Sequence, residues 1–150
     1  EQFVAKRSYD ELLVEKVQPK LVLSSIYLTE NEWVKFGKYR ILVGDLQSHQ
    51  PALKKSKAVY YFNSENINKT LLVRTFKQGD RIHLPGMEQA KRVSRIFIDE
   101  KIPVNDRHLL PIIATADEII AVESIRHSKK VSKSKRPFDN CVIIIKDDSL

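Results

Sequence analysis

Leu71-Leu72-Val73-Arg74-Thr75-Phe76-Lys77-Gln78-Gly79-Asp80-Arg81-Ile82 is the stretch on which the fold reading turns. Its first six residues are rich in branched and aromatic side chains and predict a strand; Gly79-Asp80 predicts a turn. Pro85-Gly86 is a second turn. From Ala90 to Asp99 the pattern changes period, with Ala90, Val93, Ile96 and Phe97 recurring at three-to-four spacing. That spacing predicts a helix with one buried stripe, and it places Lys91, Arg92 and Arg95 on the opposite side. Pro103 prevents its extension.

Downstream, Pro111–Ala114, Ile119–Val122 and Cys141–Ile145 are continuous apolar runs, which suit strands buried on both faces. Upstream, Trp33–Phe36 and Tyr39–Val43 predict a hairpin turning on Gly37 and closed by Gly44-Asp45. Val59–Phe62 is another short strand, and Gln47–Lys57 is a polar loop and the one candidate linker. Phe3–Arg7 and Leu12–Val17 read as strands around Ser8-Tyr9-Asp10, with a helix over 9–17 as the alternative. The expected fold is β-rich α+β: about nine short strands, mixed or antiparallel, and one main amphipathic helix at about 90–99.

The chain has 150 residues, 42% hydrophobic and 30% charged, which suits a packed globular region. No apolar run approaches the roughly 18 residues of a membrane span, and no membrane partner is expected. A single cysteine, Cys141, excludes an internal disulfide and fits a cytoplasmic setting. The chain begins with Glu1 and its one methionine is Met87, so an excised piece of a longer protein is expected.

Several chemistries lack their residues. Gly37, Gly44, Gly79 and Gly86 stand apart, so there is no phosphate-cradling loop of the P-loop or dinucleotide type. His49, His83, His108 and His127 are scattered, without metal-ligand spacing. The acidic pairs Asp99-Glu100, Asp117-Glu118 and Asp147-Asp148 are adjacent residues whose side chains diverge, which does not make an acid–base couple. No catalytic residue, metal site or bound cofactor is expected in this chain.

The positive charge is more informative. Lys and Arg outnumber Asp and Glu by 26 to 19. Besides the helix, the charge concentrates in Arg126–Arg136, which holds Arg126, Lys129, Lys130, Lys133, Lys135 and Arg136 and no acid. Such a run repels itself and gains from a polyanion that releases counterions. Aromatic residues do not interleave with it, so contact with an A-form stem through phosphates and shape is expected rather than base stacking.

The ordered set Leu72-Val73-Arg74-Thr75-Phe76-Lys77-Gln78-Gly79-Asp80-Arg81-Ile82, Gly86, Lys91-Arg92-Val93, Phe97-Ile98-Asp99, Lys101-Ile102-Pro103, Arg107 and Pro111 resembles the C-terminal domain of bacterial tRNA(Ile)-lysidine synthetases. The resemblance is strongest over 71–113 and weaker to about 146 and back to residue 1, where Arg7-Ser8-Tyr9-Asp10-Glu11-Leu12 looks like a lead-in hairpin. It implies a lead-in β lobe over 1–70 and a C-terminal module over 71–147, with a fold similar to a β-rich domain of phenylalanyl-tRNA synthetase. Ala116-Asp117-Glu118 and Glu123-Ser124-Ile125 depart from the family's Asp-Gly and Pro-Gly turns.

What the resemblance implies is a substrate-holding portion. In the family, a separate N-terminal domain uses ATP, with Mg, to join lysine to the wobble cytidine of tRNA(Ile) with a CAU anticodon. The implied partners are that tRNA, gripped near its acceptor stem, the enzyme's own catalytic domain, and a homodimer as a further option. On this reading Arg74, Arg81, Lys101 and Arg107 extend the cationic surface of Lys91, Arg92 and Arg95. Asp80 is expected to stabilise the Gly79 turn, and Asp99 to pair with Lys101 or Arg95. The competing class is a scaffold that braces the catalytic domain without touching RNA.

Overall fold

The structure, a computed structural model, describes residues 23–67 and 70–148. The strands and hairpin expected over 1–17 lie outside the described residues. In chain order the elements are β1 (Ile26–Tyr27), β2 (Val34–Phe36), β3 (Tyr39–Asp45), a 3-10 segment (Gln47–Lys55), β4 (Ala58–Phe62), β5 (Leu72–Arg74), β6 (Arg81–Ile82), β7 (Lys91–Arg92), α1 (Val93–Asp99), a second 3-10 segment (Val104–Leu109), β8 (Ile112–Ala114), β9 (Ile119–Val122), β10 (Arg126–His127) and β11 (Cys141–Asp147). The strands form antiparallel sheets in the orders β10-β9-β8-β5-β1, β2-β3-β11-β4 and β6-β7. The strand-rich architecture with one main helix is the one the sequence predicts.

β11 shows why a continuous apolar run makes a strand here. It lies between β3 and β4, and successive side chains point to opposite faces. Ile143 and Ile145 join the main core with Ile41, Val43 and Tyr60. Val142 and Ile144 join Leu42 and Leu46 in a second cluster on the outer face. That outer face is covered by the 3-10 segment, whose Ala52 and Leu53 pack against the cluster. Gln47–Lys57 is therefore more than a polar loop: two apolar side chains suffice to seat it.

Two other local expectations change. Gly37 does turn the hairpin, with φ +60° and Phe36 opposite Tyr39, but Gly44-Asp45 does not close it. Gly44 continues β3 opposite Val142, and a Cβ there would meet the Asn31 carboxamide oxygen at 2.2 Å. The helix starts at Val93, not Ala90. Lys91 and Arg92 are extended and pair with Ile82 and Arg81, and the Val93 amide donates to the Asp80 carbonyl at 2.9 Å. Ribbon pairing overrides helical periodicity for those two residues.

The main core draws on elements from both sides of residue 70. β1 pairs with β5, and β11 pairs with β3 and β4. Val93, Ile96 and Phe97 of α1 are buried in that core, and Phe76 meets Phe97 edge-on at 5.2 Å.

Candidate nucleic-acid interface

The ribbon β6–β7 organises the first cationic group. Arg81 and Arg92 are direct cross-strand partners, and both are exposed. Lys91, beside them, bonds Asp99 at 2.8 Å, and Arg95 lies 3.4 Å from the same carboxylate. The Lys91 ammonium, followed by the charges of Lys91, Arg95 and Arg126, outweighs partial desolvation and holds the Asp99 carboxyl below the usual range. Lys91, Arg92 and Arg95 therefore do gather, but across a ribbon and a helix rather than on one helical face.

At its C-terminus α1 ends with Lys101 at φ +59°. The Ile102 amide donates to the Phe97 carbonyl at 2.9 Å and the Lys101 amide to the Ile98 carbonyl at 3.1 Å, the paired bonds of a left-handed helix stop. Glycine is the usual residue there because a Cβ is strained at positive φ. Lys101→Gly is expected to raise stability by about 1 kcal/mol, read as a higher urea midpoint with unchanged slope. An unchanged or lower midpoint would show that the backbone carries no strain at Lys101.

The basic stretch Arg126–Arg136 is the main correction. It is a pinned strap, not a run of unpaired charges. Arg126 bonds Glu100 at 2.8 Å, Lys130 bonds Glu118, and Arg136 makes a fork to Asp139 at 2.9 and 3.0 Å. Burial acts first to raise the Asp139 carboxyl, but the Arg136 bonds outweigh it and hold the carboxyl below its ordinary value. The backbone is tied as well: Ser128 to Ile120, Lys129 to His83, and Ser132 to Tyr61 in both directions. The strap thus ties the five-stranded sheet to the four-stranded one and to His83, the residue that follows β6. Lys129, Lys133 and Lys135 remain without a carboxylate partner among the described residues.

Two expected contacts are committed to the fold. Arg74 binds Asp80 through two parallel bonds of 2.9 and 3.0 Å, and the side chains are only 14% and 11% exposed. Asp80 also accepts from the Lys77 amide, so it holds the Gly79 turn as expected. Arg107 donates to the Ile102 carbonyl at 2.9 Å and lies over the Phe97 ring. Asp99 pairs with Lys91 and Arg95 and not with Lys101.

The ribbon and the strap meet around a notch of about 390 Å³. Leu84, Pro85, Met87 and Ile125 give it apolar walls; Lys91, Arg126 and Lys133 bring charge to it. The Arg126 Nε is buried without a hydrogen-bond partner among the described residues, a situation that typically costs about 1–3 kcal/mol.

Sequence reasoning missed a buried polar junction under the strap. Glu123, at φ +44°, accepts from the Tyr39 hydroxyl on one carboxylate oxygen and from the Ser124 amide and hydroxyl on the other. Lys57 lies 3.1 Å from it, and the Tyr60 hydroxyl donates to its backbone carbonyl. Tyr39 and Tyr60 come from 84 and 63 positions away, so no spacing rule could reveal them.

Residues 71–138 match the family profile described as TilS substrate C-terminal domain. Those residues belong to the TilS C-terminal domain family. The chain is 31% identical over 145 residues to the tRNA(Ile)-lysidine synthase of Caldanaerobacter subterraneus subsp. tengcongensis, covering 93% of this chain and 30% of that protein. It is 40% identical over 72 residues to the tRNA(Ile)-lysidine synthase of Bacillus subtilis (strain 168), covering 47% of this chain and 15% of that protein. The chain thus spans about a third or less of the length of these relatives. A crystal structure of a TilS C-terminal domain superposes with a TM-score of 0.69 at 22% identity, over 85% of this chain and all of that one, a likeness of fold. The TilS profile extends past Arg107 and Pro111 to include the whole strap. Among the described residues no helix is long and apolar enough to cross a membrane, and no group of three or more His, Cys, Asp or Glu side chains could hold a metal ion.

Proposed function

We propose that this chain is the substrate-holding portion of a cytoplasmic tRNA(Ile)-lysidine synthase. It grips the body of tRNA(Ile) with a CAU anticodon near the acceptor stem, while a catalytic domain elsewhere in that enzyme ligates lysine to the wobble cytidine with ATP. The observation that carries this reading is the Arg81–Arg92 pair. Like charges directly opposite each other destabilise a sheet, and a two-residue ribbon has little else to offset them. An anion bridging the two guanidinium forks removes the repulsion, and phosphate fits such forks bidentately. Arg95, Lys129 and Lys133 widen the same cationic group, and A-form stems are held mainly through phosphates and 2′-hydroxyls.

Arg81→Glu separates function from folding. Glutamate opposite Arg92 replaces repulsion with attraction, so stability is expected to rise by about 0.5 kcal/mol. Affinity for an RNA stem is expected to fall about tenfold. Calorimetry and a binding titration on the same variant read both. Unchanged RNA affinity in a folded variant removes the ribbon from the interface.

The bracing alternative is favoured by one observation, the exposed Ile98 (54%) and Val104 (72%) beyond the cationic group. In the full-length enzyme, bracing requires that neutralising Arg81 and Arg92 leave the KM for tRNA unchanged. Gripping requires that it rise.

A further inference from the structure

The outer face of the four-stranded sheet carries a second line of positive charge. Register sets it: Lys35 of β2 lies opposite Arg40 of β3, and Arg40 lies opposite Lys146 of β11. Residues paired in this way point to the same face, so three cations stand side by side across three strands, about 10 Å from first to last. Arg40 and Lys146 share the parity of Leu42 and Ile144, which places the row on the face of the second cluster and away from the core that buries α1.

Like charges directly opposite each other destabilise a sheet, and here the unfavourable pairing occurs twice in succession. Two features offset part of it. Asp148 lies 3.5 Å from Lys35 and 3.9 Å from Arg40. Trp33 takes the Arg40 guanidinium and the Lys146 ammonium over its ring, at 5.8 and 5.1 Å from the centroid. A ring quadrupole attracts cations without cancelling their charge, so three cations against one carboxylate leave an excess of two. Asp147 falls on the other face with Ile145, opposite Tyr39. Lys54 and Lys55, exposed at the end of the 3-10 segment that covers the outer face, add two further charges with no carboxylate partner among the described residues.

The surroundings decide the class of partner. A protein interface centres on apolar and aromatic side chains and is poor in lysine, whereas nucleic-acid interfaces are polar and strongly positive. The apolar side chains of this face are already packed beneath the 3-10 segment. The exposed large hydrophobics among the described residues, Tyr27, Met87, Ile98, Val104 and Phe138, all lie outside β2, β3, β4 and β11. Lys35 and Arg40, by contrast, are 73% and 51% exposed. The face therefore offers charge at steps of roughly 5 Å on a rigid sheet, which suits a phosphate rail and gives a protein surface no apolar centre.

We propose that Lys35, Arg40 and Lys146 form a second contact for the phosphodiester backbone of a folded RNA, on a different face from the Arg81–Arg92 ribbon. The assignment rests on the RNA-holding reading above and extends it. Two separated contacts fix the orientation of the RNA as well as adding affinity.

Trp33 is the single tryptophan of the chain, so its emission reports directly on this face. A short RNA duplex titrated into the whole 150-residue chain at low salt is expected to shift that emission saturably, as phosphates draw Arg40 and Lys146 off the ring. Arg40→Gln with Lys146→Gln is expected to weaken the binding read at Trp33 about tenfold and to flatten its salt slope by roughly two. Lys35→Gln leaves both cations at the ring and is expected to weaken that binding about threefold with the emission change retained; it decides the matter should the double variant fail to fold. A labelled duplex that binds with no change at Trp33, or with a Trp33 midpoint that Lys35→Gln does not move, overturns this surface and leaves the RNA-holding reading standing. A change with polyglutamate at least as large as with the duplex overturns the choice of RNA over an acidic protein. No binding of the duplex by either readout overturns both.

Discussion

Replacing Glu123 with alanine is expected to lower stability by about 3 kcal/mol. The carboxylate is buried and fully engaged: the Tyr39 hydroxyl and Lys57 on one oxygen, the Ser124 amide and hydroxyl on the other. Alanine leaves the buried Tyr39 hydroxyl without that acceptor and Lys57 without its counter-charge. Lys57 is about a third exposed, so water recovers part of its share, which places the loss at the low end for a broken buried pair. Glutamine keeps an acceptor for Tyr39 and is expected to lose only about 1 kcal/mol. Both variants keep the strained φ, so the comparison isolates the side chain.

The same junction gives the fold an acid limit. Burial is the largest influence on the Glu123 carboxyl and pushes its pKa upward. The Ser124 and Tyr39 bonds and Lys57 together outweigh it, and the net value is depressed. A depressed carboxylate contributes its stability above the unfolded pKa, about 4.3, and loses it as the pH falls through the folded value. The stability gap between wild type and Glu123→Gln should therefore be full at neutral pH and narrow in acid. Urea midpoints at a series of pH values measure it, and a gap that stays constant into strong acid would falsify the ionised junction. Burial, followed by Glu123, pushes the Tyr39 hydroxyl upward, and the same two influences raise Tyr60. Both tyrosines thus favour the fold below about pH 10 and lose that contribution in alkali.

The elements legible in the sequence were those whose residues answer to their near neighbours. Pro111–Ala114, Ile119–Val122 and Cys141–Ile145 announce themselves because their apolar runs find buried faces on both sides, and the strands are Ile112–Ala114, Ile119–Val122 and Cys141–Asp147. The apolar stripe Val93, Ile96, Phe97 likewise marks α1, and Gly79-Asp80 marks its turn. What escaped was decided at a distance. Lys91 and Arg92 have helical spacing but are claimed by Arg81 and Ile82 across the ribbon. Arg126 and Lys130 look unpaired because Glu100 and Glu118 lie well upstream, and Arg136 because Asp139 falls just beyond the basic stretch. Glu123 stands where the family's turn pattern has proline and glycine, and on sequence alone it reads as a departure in turn geometry. In the fold, that departure anchors the four-stranded sheet to the five-stranded one through Tyr39 and Tyr60.

Those distant pairings sharpen what a charge reversal can show. Arg92→Glu with Arg95→Glu is expected to weaken RNA binding by about 3 kcal/mol, on the order of a hundredfold, by turning two attractive phosphate contacts repulsive. Both side chains are exposed, and Arg95 exchanges a surface pair with Asp99, which also keeps Lys91, for an i,i+4 repulsion of only about 0.3 kcal/mol. The carboxylate introduced at position 92 faces Arg81 across the ribbon, so the pairing is not put at risk. The loss should therefore appear in binding and not in circular dichroism or melting. Salt dependence supplies an independent reading. If the wild-type chain meets about five phosphates, the slope of log affinity against log salt is near roughly −4, and the double reversal should flatten it by roughly two. Arg74→Gln is the internal control for mere loss of positive charge: its guanidinium is turned inward to Asp80, so the variant should lose stability without flattening that slope. A slope changed by Arg74 and not by Arg92 and Arg95 would place the RNA on a different face. A flat slope for the unmodified chain would leave the exposed arginines as solvation alone, because counterion release is the one contribution that every phosphate contact must make.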